Sequence, residues 1–378
     1  LSRSMTISYE IPKRFFLLDM FRGIAIFRVV IFHWANFFSI PSTTGFKLDL
    51  QQLPLYEVLY VFYKPYHAAI PFFFCISGFI FFWLYSTRVN QKTITPKSFW
   101  VNRLSRLYPL HLVMLIVVAV GQFMYLHLTG AYFCVPLNDL YHFILNLFLA
   151  SSWGIEKGWS FNAPVWLLSV QVLLYAIFFI FCRVFHRNVF AMLGMVILGF
   201  FITAHYSEFV GTGVKYFYYG GILFVAYERI IKAGDPWKVS VWLPYLTAVF
   251  WVLTLWLANP HVTYTPQLFP DIQNKLFSVW PVLVLLPSTV MSAALLETRK
   301  GPIGKRLSFV GDASFSIYLI HFPLQVIIAI VAVKLSIGPG FFLSAWVMIS
   351  FFALLGLLSV ASRRFFETPV QNYIRSRL

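Results

Sequence analysis

A chain of 378 residues that is 60% hydrophobic and only 11% charged cannot cover a water-facing surface, because soluble domains carry about 25% charged residues. Its net charge of +16 points at first to nucleic acid. Most of the Lys and Arg, however, fall in one alternate set of connections between apolar segments, which is the positive-inside pattern of a polytopic membrane protein and leaves no nucleic-acid partner.

Ten segments reach roughly the 20 apolar residues that a bilayer requires: 15–39, 67–86, 108–129, 164–182, 189–206, 213–231, 240–258, 276–296, 311–333 and 341–362. Alternation places the basic connections 87–107, 183–188, 232–239 and 297–310 in the cytoplasm, with both termini. The opposite loops carry Asp49, Glu57, Asp139, Glu156, Glu208 and Asp271. Residues 139–153 are apolar but short. Counting them as a span would invert every later loop, so they read as an outer re-entrant or interfacial helix. The predicted fold is thus an all-α membrane bundle of about ten transmembrane helices plus that short helix. Residues 1–14 form a cytoplasmic tail, whose first four residues read as an expression remnant before Met5. Residues 15–362 form the membrane domain, and 363–378 a second cytoplasmic tail. Cys75, Cys134 and Cys182 make no disulfide framework.

The first segment contains LDMFRGIAIFRVVIFH, with Asp19, Arg22, Arg28 and His33 in an apolar run. Each ionisable group in a span costs about 2.5–3.5 kcal/mol on insertion scales, so such groups usually face a cavity and serve function. Eleven residues close on three helical turns, so Arg22 and His33 share a face about 16 Å apart along the axis. Asp19 is placed to pair with Arg22. The spacing suits a long ligand, with arginines at its anionic end and a histidine at the reacting end.

Further along, RLSRLYPLH places Arg103 and Arg106 three apart where the cytoplasmic loop enters the third segment. They are either a positive-inside anchor or a phosphate clamp. Ser77 and Gly78 interrupt the aromatic run PFFFCISGFIFF, for helix packing or for ligand contact. In GDASFSIYLIHFP, the residues Ser314, Tyr318 and His321 share a face. His67 begins the second segment and is a candidate neighbour of His33. The other histidines, His111 and His142 among them, fall near helix ends or in loops. No motif suggests a bound metal, and there is no P-loop and no GxSxG elbow.

These motifs together resemble the acyltransferase-3 family of bacterial membrane proteins. The resemblance is carried by the Arg-x10-His spacing of Arg22 and His33, then by FFFCISGF, RLSRLYP, WLLSVQVLLY and SFSIYLIHFP in the family's order, and by Glu367 and Pro369 in FFETP. It implies a multi-pass bundle of the bacterial inner membrane that moves acyl groups, commonly acetyl, from cytoplasmic acyl-coenzyme A to hydroxyls of cell-envelope glycans such as lipopolysaccharide O-antigen. By the same resemblance His33 is the catalytic residue and Arg22, Arg103 and Arg106 are the functional arginines, here expected to hold the cosubstrate; Asp19, grouped with the catalytic residues, orients Arg22. His67, Ser77, Gly78, Ser314, Tyr318 and His321 are substrate or structural candidates. Gln171 stands where the family frequently has glutamate.

The expected reaction is O-acetylation with acetyl-coenzyme A as cosubstrate and no metal. The acceptor is an envelope glycan or a lipid-linked saccharide, and membrane lipids and a second copy of the chain are further partners to consider. His33 acts either as general base or as the carrier of the acyl group. The rival readings are the same chemistry on a small molecule or lipid, or a secondary transporter.

Overall fold

The computed structural model describes residues 11–41, 48–63, 69–233, 237–258 and 280–377. These residues form helices and their connections, with no strand among them. In chain order the helices are α1 (Phe16–Phe32), α2 (Tyr56–Tyr63), α3 (Ala69–Asn90), α4 (Pro96–Thr129), α5 (Leu140–Leu147), α6 (Trp166–Phe185), α7 (Val189–His205), α8 (Glu208–Lys232), α9 (Trp237–Ala258), α10 (Leu286–Lys300), α11 (Ser308–Lys334), α12 (Ala345–Ser362) and α13 (Thr368–Arg375). Among the described residues, seven helices are long and apolar enough to cross a membrane. With α1, α7 and α8 they answer to the ten predicted segments, and the protein is a polytopic helical bundle.

Three boundaries differ from those expected, each for a local reason. The first segment is not one α-helix to residue 39. It tightens at His33 into a 3-10 turn, His33–Ser39, because aromatic packing holds its end: Trp34 Nε1 donates to the Phe342 carbonyl at 3.0 Å, and the rings of Phe37 and Phe342 stack at 4.2 Å. The third segment begins at Pro96, not at 108, because Thr95 caps it by accepting from the Ser98 N–H at 3.1 Å and Pro96 occupies the first turn, where a missing N–H costs nothing. Arg103 and Arg106 are therefore inside a helix. The C-terminal tail is also helical: α12 continues through a π turn, Arg363–Glu367, into α13. There Arg375 binds the Asn102 carbonyl at 2.8 Å and Ser105 Oγ at 3.2 Å on α4.

The segment 139–153 contains the short helix α5, capped by Asp139, which accepts from the His142 N–H at 2.9 Å. It is anchored in the bundle. His111 Nε2 donates to the Asn146 carbonyl at 2.8 Å, and Asn146 Nδ2 donates to Ser160 Oγ at 3.0 Å. His111 and His142 are accordingly buried groups that tie the segment down, not unremarkable histidines at helix ends. Asp139, paired with the backbone and side chain of His142, is held below the usual carboxylate range.

Two close helix contacts set the layout. α3 lies against α8, where a Cβ on Gly78 would come within 1.8 Å of the Phe217 carbonyl oxygen. α1 lies against α11, where a Cβ on Gly311 would come within 2.1 Å of the Asp19 carbonyl. Packing therefore accounts for Gly78, as small residues at membrane helix crossings generally do. Gly78→Ala is expected to destabilise the bundle by about 1–3 kcal/mol, the usual cost of overpacking. The check is the melting temperature of the purified protein in detergent, with Ser77→Ala as a near-neutral neighbour.

Candidate active site

Between α1, α3, α4, α6 and α11 lies a cavity of about 400 Å³. Five cations line it, Lys13, Arg14, Arg22, Arg103 and Arg106, against two carboxylates, Asp19 and Asp312, a formal excess of three positive charges. The carboxylates serve one side. Arg14 bridges Asp19 and Asp312 at 2.7 Å each, and Arg22 reaches Asp19 at 3.3 Å. Arg103 donates to the Tyr85 hydroxyl, and its guanidinium lies over the Phe81 and Tyr85 rings at 5.3 and 4.6 Å from their centroids. Arg106 makes no hydrogen bond or ion pair among the described residues. It sits in the fields of both Arg22 and Arg103. Much of its surface is exposed, and it lines the cavity. Three guanidiniums gathered in an apolar bundle with so little compensation repel one another, and an anion entering the cavity would relieve that.

Ser77, Ser314, Tyr318 and Gln171 line the same cavity. A narrow apolar extension with room for about one water shares Ile26, Phe73, Leu167 and Tyr318 with it and adds Ala25, Val29, Ile70 and Trp166. Val29 is one turn before His33.

His33 and His321 form a pair. Their rings lie edge to edge and nearly coplanar, 5° apart with centroids 5.2 Å apart, and His33 Nδ1 lies 2.9 Å from His321 Nε2. His321 Nδ1 lies 2.6 Å from the Tyr318 carbonyl. A carbonyl only accepts, so His321 Nδ1 carries the proton. In a neutral imidazole the other nitrogen then accepts, which makes His33 Nδ1 the donor. With both rings neutral, one proton arrangement satisfies the chain, and it leaves His33 Nε2 as a bare lone pair. Gln325, four residues after His321, fixes the backbone beneath: its Nε2 donates to the His33 carbonyl at 2.8 Å, and its Oε1 accepts from Asn36 at 3.0 Å. Beyond the pair, Ser316 and Ser362 both donate to Glu367 Oε1, at 2.6 and 2.7 Å.

The residues singled out in the sequence thus fall into two stations. Asp19, Arg22, Arg103, Arg106, Ser77, Ser314 and Tyr318 gather at the cationic cavity. His33 and His321 gather beyond it. Asp19, grouped with His33 as catalytic, is fourteen residues from it, about 21 Å along the helix axis, and pairs with Arg22 as its spacing predicts. Gly78 packs against α8, and His67 lies outside the described residues. Sequence reasoning marked Asp312 as part of a polar stripe but missed Arg14, its ion pair with Asp312 and the His33–His321 partnership. The only signal for the partnership was a second isolated histidine inside an apolar segment.

The model of a family described as an acyltransferase domain matches residues 16–363. The chain belongs to the acyltransferase-3 family. Residues at both stations lie within the matched region. The chain is 30% identical over 138 residues, 36% of its length, to Protein 2 in picA locus of Rhizobium radiobacter, and spans 60% of that protein. It is 24% identical over 284 residues to Acyltransferase MdmB of Streptomyces mycarofaciens, covering 67% of each chain. No solved structure matches.

Because Arg106 is repelled and unpaired, Arg106→Gln is expected to raise the melting temperature of the unliganded protein, by the equivalent of about 1 kcal/mol. The same change should weaken stabilisation by added pyrophosphate, an anion suited to the cationic cavity. Thermal unfolding with and without the anion checks both.

Proposed function

We propose that the protein transfers an acetyl group from acetyl-coenzyme A to a hydroxyl of a cell-envelope glycan or lipid-linked saccharide. The observation that carries this reading is the cationic cavity, whose narrow apolar extension is lined by Val29, one turn before a histidine whose Nε2 is left free by its partner. Polyphosphate at one end and a thioester at the end of a long arm match the two stations. An envelope acceptor fits a bundle that spans the inner membrane with both termini in the cytoplasm, the orientation favoured by its basic connections.

In this reading Arg22, Arg103 and Arg106 hold the phosphates by charge-assisted hydrogen bonds. His33 Nε2 takes the proton of the acceptor hydroxyl as its oxygen attacks the thioester carbonyl. A C–O bond forms, the C–S bond breaks, and the departing thiolate takes the proton back from His33. His321 keeps His33 in the tautomer with Nε2 free and accepts from Nδ1–H throughout, the role a partner group plays for any histidine that must present one chosen nitrogen.

The test is transfer of labelled acetyl from acetyl-coenzyme A to a de-O-acetylated glycan by the purified protein in lipid vesicles. His33→Ala is expected to lower turnover at least about 100-fold, the low end for general base catalysis. Undiminished transfer by a folded His33→Ala protein would sink the assignment. His321→Ala is expected to lower kcat by about 10- to 100-fold with the donor KM little changed, since it touches orientation and not binding.

A further inference from the structure

Gln171 is the one residue lining the cavity whose carboxamide has neither polar atom partnered. Its side chain is 4% exposed, and both Oε1 and Nε2 are buried without a hydrogen bond. Buried amides left bare are rare and costly, and each needs a reason. α6 places this one between the two stations. Tyr175, one turn later on the same face, lies in the fields of Arg22, Arg103 and Arg106. Leu167, one turn earlier, lines the extension beside Tyr318. Each four-residue step advances about 6 Å, so Gln171 stands roughly midway from the arginines toward the apolar end.

A carboxamide has donors on nitrogen and an acceptor on oxygen. Phosphate or carboxylate only accepts, so either would satisfy Nε2 and leave Oε1 bare. A secondary amide, with one N–H and one carbonyl, satisfies both. We infer that Gln171 is a donor-binding residue that pairs with an amide of the pantetheine arm of the acyl-coenzyme A, between its phosphates and its thioester. This rests on the donor assigned above. In that ligand the amides lie between phosphates and sulfur, the same order as the arginines, Gln171 and the apolar end of the cavity.

The experiment compares two donors, acetyl-coenzyme A and S-acetyl-pantetheine, which keeps both amides and lacks the phosphates. The full-length protein in vesicles is assayed for acetyl transfer. Gln171→Leu is expected to raise KM about tenfold for both donors, the effect of leaving a ligand amide unpaired, with kcat little changed. Arg106→Gln is expected to raise KM for acetyl-coenzyme A alone. Gln171→Glu keeps an acceptor but adds negative charge beside the arginines, and is expected to raise KM more for acetyl-coenzyme A than for S-acetyl-pantetheine. The melting temperature supplies a second readout. Gln171→Leu removes two unpartnered buried atoms, so the unliganded variant should melt no lower than wild type, whereas a merely structural glutamine would lower it. Unchanged KM for both donors in Gln171→Leu overturns the assignment. A wild-type protein that consumes neither donor overturns the acyl-coenzyme A reading and this assignment with it, so the two failures are distinguishable.

Discussion

The seam between α1 and α11 is what the rest of the site depends on. At one end the Arg14 guanidinium joins Asp19 on α1 to Asp312 on α11. At the same end, Gly311 lets the α1 backbone at Asp19 approach so closely that a single methyl would collide with it. At the other end His33 of the 3-10 turn meets His321 of α11, and Gln325 clamps the His33 carbonyl. An ion pair, a close backbone contact and a hydrogen-bond chain thus fix the axial register of the two helices. That register sets how far the cationic end lies from the histidine end. A slip of one turn, about 5.4 Å, would break all three.

The second constraint is electrostatic. An apolar bundle tolerates charge only where it is paired, hydrated or used. Here the two carboxylates serve Arg14 and Arg22, and aromatic faces serve Arg103. Arg106 is left with only the cavity. Such an arrangement sacrifices stability in the empty protein and recovers it when an anion enters. The histidine end is organised differently. There no net charge is held; protons are ordered by a carbonyl that can only accept, and the order propagates through two rings to one lone pair. Charge gathers one end of a ligand, and proton order prepares for chemistry at the other.

Sequence and structure agree most closely where the physics is local. The number of apolar segments, the positions of Asp19 and Arg22 one turn apart, and Ser314 and Tyr318 on one helical face all follow from helical period and hydrophobicity, and the structure places them accordingly. Local rules were weaker at helix ends. The cap at Thr95 moved α4 outward to Pro96, and a stacked Phe37–Phe342 pair turned the end of α1 into a 3-10 turn.

Composition, charge asymmetry and the spacing of Arg22 and His33 by themselves determined a polytopic all-α membrane bundle and its two candidate stations. Each of those follows from the one-dimensional order of residues and the fixed rise of a helix. Only the tertiary structure decided which partners meet. His33 lies 288 positions from His321, and Arg14 lies 298 positions from Asp312; nothing in the order of residues states which two helices will lie side by side. The same holds for Gln171. Its sequence position marks a departure from a motif, but its bare carboxamide inside a cationic cavity exists only because five helices close around it.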